Sequence, residues 1–188
     1  MRCDYHVHTN FSMDSNTPIL DQLKRAAELG LEEICFTDHS EHNTPEHSMF
    51  FSLDIPAYKK AFSELPDLGV RVRWGAEFGI PCDEELSRDH VERVRAAGFD
   101  FIIASAHIVD GEDPYYPEFY VGRTNAQVNA LYVEALAEYL RRLPPEFFSA
   151  VGHVDYGCKF NPDKAAVMRY SHCPDALDDL FRYVMSVH

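Results

Sequence analysis

Five short stretches of this chain run apolar and β-branched, then break into histidine, aspartate or glutamate. They are "RCDYHVH", "EEICFTDH", "VRVRWGAEFG", "FDFIIASAH" and "FFSAVGHVDYG". Each reads as a strand. Between them lie helical patterns. "NTPILDQLKRAAELG" has Asn16 or Thr17 as N-cap, Pro18 in its first turn and Gly30 as its cap. A short helix falls within 54–67, and "DEELSRDHVERVRAAG" closes at Gly98. A long helix covers about 123–142, and "PDALDDLFRYVMSV" forms the last. Strands alternating with helices imply parallel pairing and right-handed crossovers. Polar groups at the C-terminal end of strand after strand predict an α/β barrel with its site on that rim, since an open sheet would gather a site at one switch point. With 188 residues, 46% of them hydrophobic, one domain over 1–188 is expected.

The chemistry begins at His6 and His8. Side chains two apart on a strand share a face, so both imidazoles project together, with Asp4 on their side. Two buried imidazoles side by side are costly unless something pairs with them, and a metal ion does so. Singly, each later group has a plain reading. Asp38 caps a turn, Glu77 joins a salt bridge, His107 is a satisfied core histidine, and Asp155 orients His153. Five strand ends bearing such groups together point to a metal site. Five cysteines without a CxxC pair suggest neither a disulfide framework nor a thiolate site. Nitrogen and carboxylate ligands suit zinc, manganese or iron, with Glu77 able to bridge two ions.

Net charge is −14, from 31 acidic and 17 basic residues. Such a surface disfavours nucleic acid, whereas bound cations would let it accept a small phosphorylated substrate. No membrane partner is expected. The opening residues lack a signal pattern and no apolar run reaches membrane-spanning length, so a reducing cytoplasm is the default.

"DYHVHTNFSMDS", "FTDHS", "GAEFGI", "ASAHIV" and "AVGHVDY" resemble, in order, the motifs of the polymerase-and-histidinol-phosphatase (PHP) superfamily, most closely its histidinol-phosphatase branch. The resemblance implies a distorted (β/α)7 barrel, two to three divalent ions and phosphomonoesterase activity in histidine biosynthesis. By the same resemblance His6 and His8 hold a first ion and Glu77 bridges it to a second, completed by His107 and His153. Asp14 and His39 serve a third. Asp38 and Asp155 are expected to orient metal-bound histidines. His42 stands as proton donor or substrate contact, with an exposed loop histidine as its plain reading. Arg123 and Lys159 are phosphate contacts on charge alone.

The family pattern continues with further strands and a late D-x-H motif that this sequence does not show. His188 and "SHCPD" at 171–175 are the nearest substitutes, but neither follows a strand. The last strands are therefore expected to be missing and the first and third ions each to be one ligand short. Activity would be impaired, and unpaired barrel edges would promote self-association. Three other readings stay open: another phosphoesterase of the superfamily acting on a small phosphorylated substrate or nucleotide, a non-catalytic metal-binding remnant, and a C–N hydrolase on a related barrel. The last commonly uses a bridging lysine, and no lysine ends a strand before Lys159.

Overall fold

The computed structural model describes residues 1–42 and 53–187. Among these residues six strands form one parallel sheet: β1 (Cys3–Val7), β2 (Glu33–Phe36), β3 (His39–Ser40), β4 (Arg71–Gly79), β5 (Phe101–Ser105) and β6 (Ala150–Val151). The sheet runs β1-β2-β4-β5-β6, with β3 taking up beside β4 where β2 leaves off. Among the described residues strand order follows chain order without reversal and shows no switch point, and the arrangement is a parallel half-barrel. Among the described residues β1 and β6 each pair on one side only.

Register aligns the rim. His39 lies opposite Glu77 and Gly79 opposite Ser105, so ligand-bearing ends finish at one level. Along β4, Trp74, Ala76 and Phe78 pack outward on the helices, which leaves Arg73, Gly75 and Glu77 on the inner face. At Gly75 a Cβ would stand 2.6 Å from Cys35 Sγ and 2.9 Å from the carbonyl oxygens of Phe36 and Phe101. Only glycine lets β4 pass between β2 and β5.

The helices are α1 (Ile19–Glu28), α2 (Ile55–Ser63), α3 (Glu84–Ala97), α4 (Asn125–Arg141), the short α5 (Tyr156–Lys159) and α6 (Pro174–Val187). The first two cover β2 and β4 through Leu23, Tyr58, Phe36 and Trp74. Helix α4 anchors the second core: Tyr132, Val133, Leu136 and Leu140 are wholly buried, each contributing about 1.5–3 kcal/mol. A reciprocal Thr124–Gln127 capping box fixes its start. No helix among the described residues is long and apolar enough to cross a membrane.

Three expectations need correction. Helix α1 starts after Pro18 with no side-chain cap from Asn16 or Thr17, and Gly30 sits one residue beyond the Leu29 cap at φ +68°. The second strand breaks between Phe36 and His39 into β2 and β3. The fifth is only two residues long, because Phe147 and Phe148 turn into the helical core.

Below the rim, Glu33 is buried and accepts hydrogen bonds from Tyr5 Oη, Arg71 Nη1 (2.6 Å) and Arg73 Nε (3.1 Å). The Tyr5 hydroxyl, with the two guanidiniums, outweighs burial and holds the Glu33 carboxyl down to about 2, against 4.5 when free. A depressed carboxyl contributes stability above its unfolded value and loses it as pH falls through the folded value. Thermal melts should therefore show wild type more stable than Glu33→Gln at neutral pH, the gap closing as pH falls from 4.5 towards 2. A constant gap would exclude the charge as its origin.

Candidate metal centre

Glu77, at 0% exposure, is the hub of the rim. Its Oε2 lies 3.1 Å from His6 Nε2, 3.0 Å from His8 Nε2 and 3.4 Å from His39 Nδ1. Its Oε1 lies 2.9 Å from His153 Nε2 and 3.3 Å from His107 Nε2, and accepts a hydrogen bond from Ser105 Oγ at 2.7 Å. Strand alternation explains the convergence. His6 and His8 leave the end of β1 on one face, and His107 and His153 each lie two residues past β5 and β6. At Gly152 a Cβ would fall 2.0 Å from Ser105 Oγ, so that glycine keeps room for the hydroxyl that props Glu77.

A second row lies beside the hub. Asp14 meets His8 Nδ1 at 3.0 Å and His39 Nε2 at 3.6 Å. These imidazoles outweigh burial and hold the Asp14 carboxyl far below the usual range, the His39 contact contributing most. Glu41, 4% exposed, accepts from His107 Nδ1 at 2.8 Å and from His39 Nδ1 at 3.2 Å through the same oxygen. Sequence reasoning missed Glu41. The signal was available: in "HSE" it stands two residues after His39, the same i, i+2 spacing that flagged His6 and His8.

Does this donor set fit metal ions? A carboxylate offers about four lone-pair sites, yet Glu77 faces five imidazoles and a hydroxyl. Hydrogen bonds alone cannot satisfy that crowd. Among the described residues, His8 Nε2 is buried without a hydrogen-bond partner although it lies 3.0 Å from Glu77 Oε2. A buried nitrogen without a hydrogen bond, beside a carboxylate already shared by several rings, suits a shared cation. Four overlapping groups have ligand atoms within 4.8 Å of one another: His6, His8 and Glu77; His8, Asp14 and His39; His39, Glu41 and His107; Glu77, His107 and His153. The residues present fit a cluster of divalent ions.

The other candidates fare differently. Asp38 is wholly buried but does not orient a histidine. It accepts from Thr9 N–H (2.7 Å), Thr9 Oγ1 (2.9 Å) and Ser12 Oγ (2.7 Å), pinning the loop that carries Asp14. Ser12 Oγ in turn accepts from His39 N–H at 2.9 Å. Asp155 is exposed and heads α5, and His153 Nδ1 has no hydrogen-bond partner among the described residues, so the expected pairing is absent. His42 packs 5.7 Å from His90 and does not line the cavity over the rim. Arg123 is ion-paired with Glu112 at 2.5 Å and stays out of that lining, which corrects its assignment as a phosphate contact. Lys159 does line the cavity, its Nζ 5.5 Å from the Tyr156 ring centroid and 5.2 Å from that of Phe160. His172 bonds Asn129 beside α4, away from the cluster, and His188 lies outside the described residues.

The cavity measures about 1140 Å³. The candidate ligands His6, His8, Asp14, His39, Glu77, His107 and His153 line it together with Asp113, Glu118, Tyr115, Tyr116 and Phe160.

In the metal-free chain, burial disfavours charge on His39, but Asp14, Glu41 and Glu77 overcome it and raise the ring to about 9. Glu41 and Glu77 likewise raise His107 to about 10 against its burial. Both rings are therefore protonated at neutral pH, and binding through a ring nitrogen must displace those protons. Titration calorimetry with zinc in buffers of different ionisation heat should show about two protons released near neutrality. Affinity should rise with pH until about 9–10, where the rings lose their protons unaided. Proton-neutral uptake would contradict this.

Comparison with known proteins agrees with the geometry. The PHP domain profile matches residues 4–186. A histidinol-phosphatase of Lactococcus lactis is 29% identical over 98% of this chain and 68% of its own length. A probable histidinol-phosphatase of Clostridium acetobutylicum is 25% identical over 97% of this chain and 68% of its own. The crystal structure of the L. lactis histidinol phosphate phosphatase, complexed with zinc, L-histidinol and phosphate, superposes with a TM-score of 0.86 at 28% identity, covering 99% of this chain and 70% of that one. The chain belongs to the PHP domain family.

Proposed function

We propose that this chain is a divalent-metal-dependent phosphomonoesterase that hydrolyses histidinol phosphate to histidinol and phosphate. The observation that carries the reading is the Glu77 hub in the lining of a large cavity, in a chain whose relative binds zinc, histidinol and phosphate. His6, His8 and Glu77 would hold one ion, Glu77, His107 and His153 a second, and His8, Asp14 and His39 a third. Held by these residues, zinc, manganese or iron would supply a positive field for a phosphate and would lower the pKa of a water.

The chain's own residues supply orientation. Glu77 sets the spacing of the imidazoles, and Ser105 holds Glu77 by its Oε1. Among the described residues Lys159 is the sole lysine or arginine lining the cavity, and it is the phosphate contact of this reading. Asp113 and Glu118, beside Tyr115, Tyr116 and Phe160, make an acidic, aromatic wall suited to a leaving group with an ammonium and a planar ring. That wall favours histidinol phosphate over an anionic nucleotide. His42, outside the lining, is not needed.

The test is phosphate release from histidinol phosphate by the zinc- or manganese-loaded protein. Glu77→Gln and His107→Ala should each lower turnover by about 100-fold or more and reduce bound metal. Lys159→Gln should raise KM several-fold at unchanged metal content. A loaded protein that ignores histidinol phosphate yet cleaves a nucleotide would overturn the substrate assignment.

A further inference from the structure

Glu41 belongs to none of the three ion sites proposed above, yet its carboxylate sits between two of their imidazoles. Its Oε1 is the common acceptor for the Nδ1 groups of His39 and His107, whose rings meet edge-on at 5.0 Å. The opposite nitrogens face different neighbours: His107 Nε2 lies 3.3 Å from Glu77, and His39 Nε2 lies 3.6 Å from Asp14. Space for the carboxylate comes from β4. At Gly79 a Cβ would stand 1.7 Å from Glu41 Oε2 and 2.3 Å from its Cδ, so no other residue there leaves Glu41 in place.

We propose that Glu41 is a positioning residue that fixes His39 and His107 together, holding the Nδ1–H of both rings so that their Nε2 lone pairs face two different metal subsites. A ring nitrogen that donates to a carboxylate fixes the tautomer and orientation of the metal-binding nitrogen across the ring. Here one carboxylate does this for two rings, so its charge links the Asp14–His39 subsite to the Glu77–His107–His153 subsite. The inference rests on the metal-centre reading above.

The test uses the full chain loaded with zinc. Native mass spectrometry counts ions, chelator competition gives the affinity of each, and nitrogen-15 spectra report the tautomers of His39 and His107. In wild type both rings should show a protonated Nδ1 and a zinc-bound Nε2. Glu41→Gln keeps an acceptor but loses the charge. It should weaken two ions by about 10–100-fold each, while His39→Ala and His107→Ala each chiefly cost one. Gly79→Ala should reproduce the Glu41→Gln loss, and circular dichroism of both variants excludes misfolding as its cause. Wild-type affinities in Glu41→Gln, weakening of one ion only, or a zinc-bound Nδ1 on either ring would overturn the proposal. So would Glu41→Gln lowering the Tm of the metal-free chain alone. A wild-type chain that binds no zinc overturns the metal-centre reading and this inference with it.

Discussion

One buried carboxylate organises this protein. Glu77 faces five imidazoles within 3.4 Å, and strands β1, β3, β5 and β6 each end where one or two of those rings can reach it. A bare anion at that depth would be costly. The surrounding nitrogens hold its pKa well below the ordinary value despite burial. Cationic partners, protons in the free chain and metal ions in the loaded one, thus balance the same charge.

Around this hub the polar residues fall into a hierarchy. Ser105 props Glu77, Asp38 pins the Thr9–Ser12 turn, and Ser12 ties that turn to the backbone of His39. Glycines 79 and 152 create space by lacking a side chain. Ser105 and Gly79 stand on the register-matched strands β5 and β4, where a binding constellation holds its geometry best, whereas Asp38, Ser12 and Gly152 lie in the turns and strand exits beside them.

Much of this was legible in the sequence, for a physical reason. Strand alternation is a strict period, and a histidine or carboxylate closing an apolar run stands out, so the strand ends bearing His6, His8, His39, Glu77, His107 and His153 could be read directly, whereas Asp14 closes no strand and entered only with the family resemblance. Alternation also explains the misreadings. Asp38 adjoins His39 in sequence, but neighbours on an extended chain point to opposite faces, and its carboxylate turned to Thr9 and Ser12 instead. Glu41 obeys the same period as His39 but lies beyond the apolar run that marks the strand. The charges of Arg123 and Lys159 follow no period. Only tertiary packing separates the arginine bound to Glu112 from the lysine on the cavity wall.

The parallel register has a consequence for how such a chain can change. In β4 the inner and outer faces alternate residue by residue, with Glu77 inward and Phe78 packed on His90 and Phe147 outward. One residue inserted between Gly75 and Glu77 would carry the carboxylate into an oily layer and drive an aromatic ring among the imidazoles. An insertion in the turn before Arg71 would leave the register intact and be absorbed as loop. The protein therefore tolerates drift in length at one end of its strands and almost none at the other.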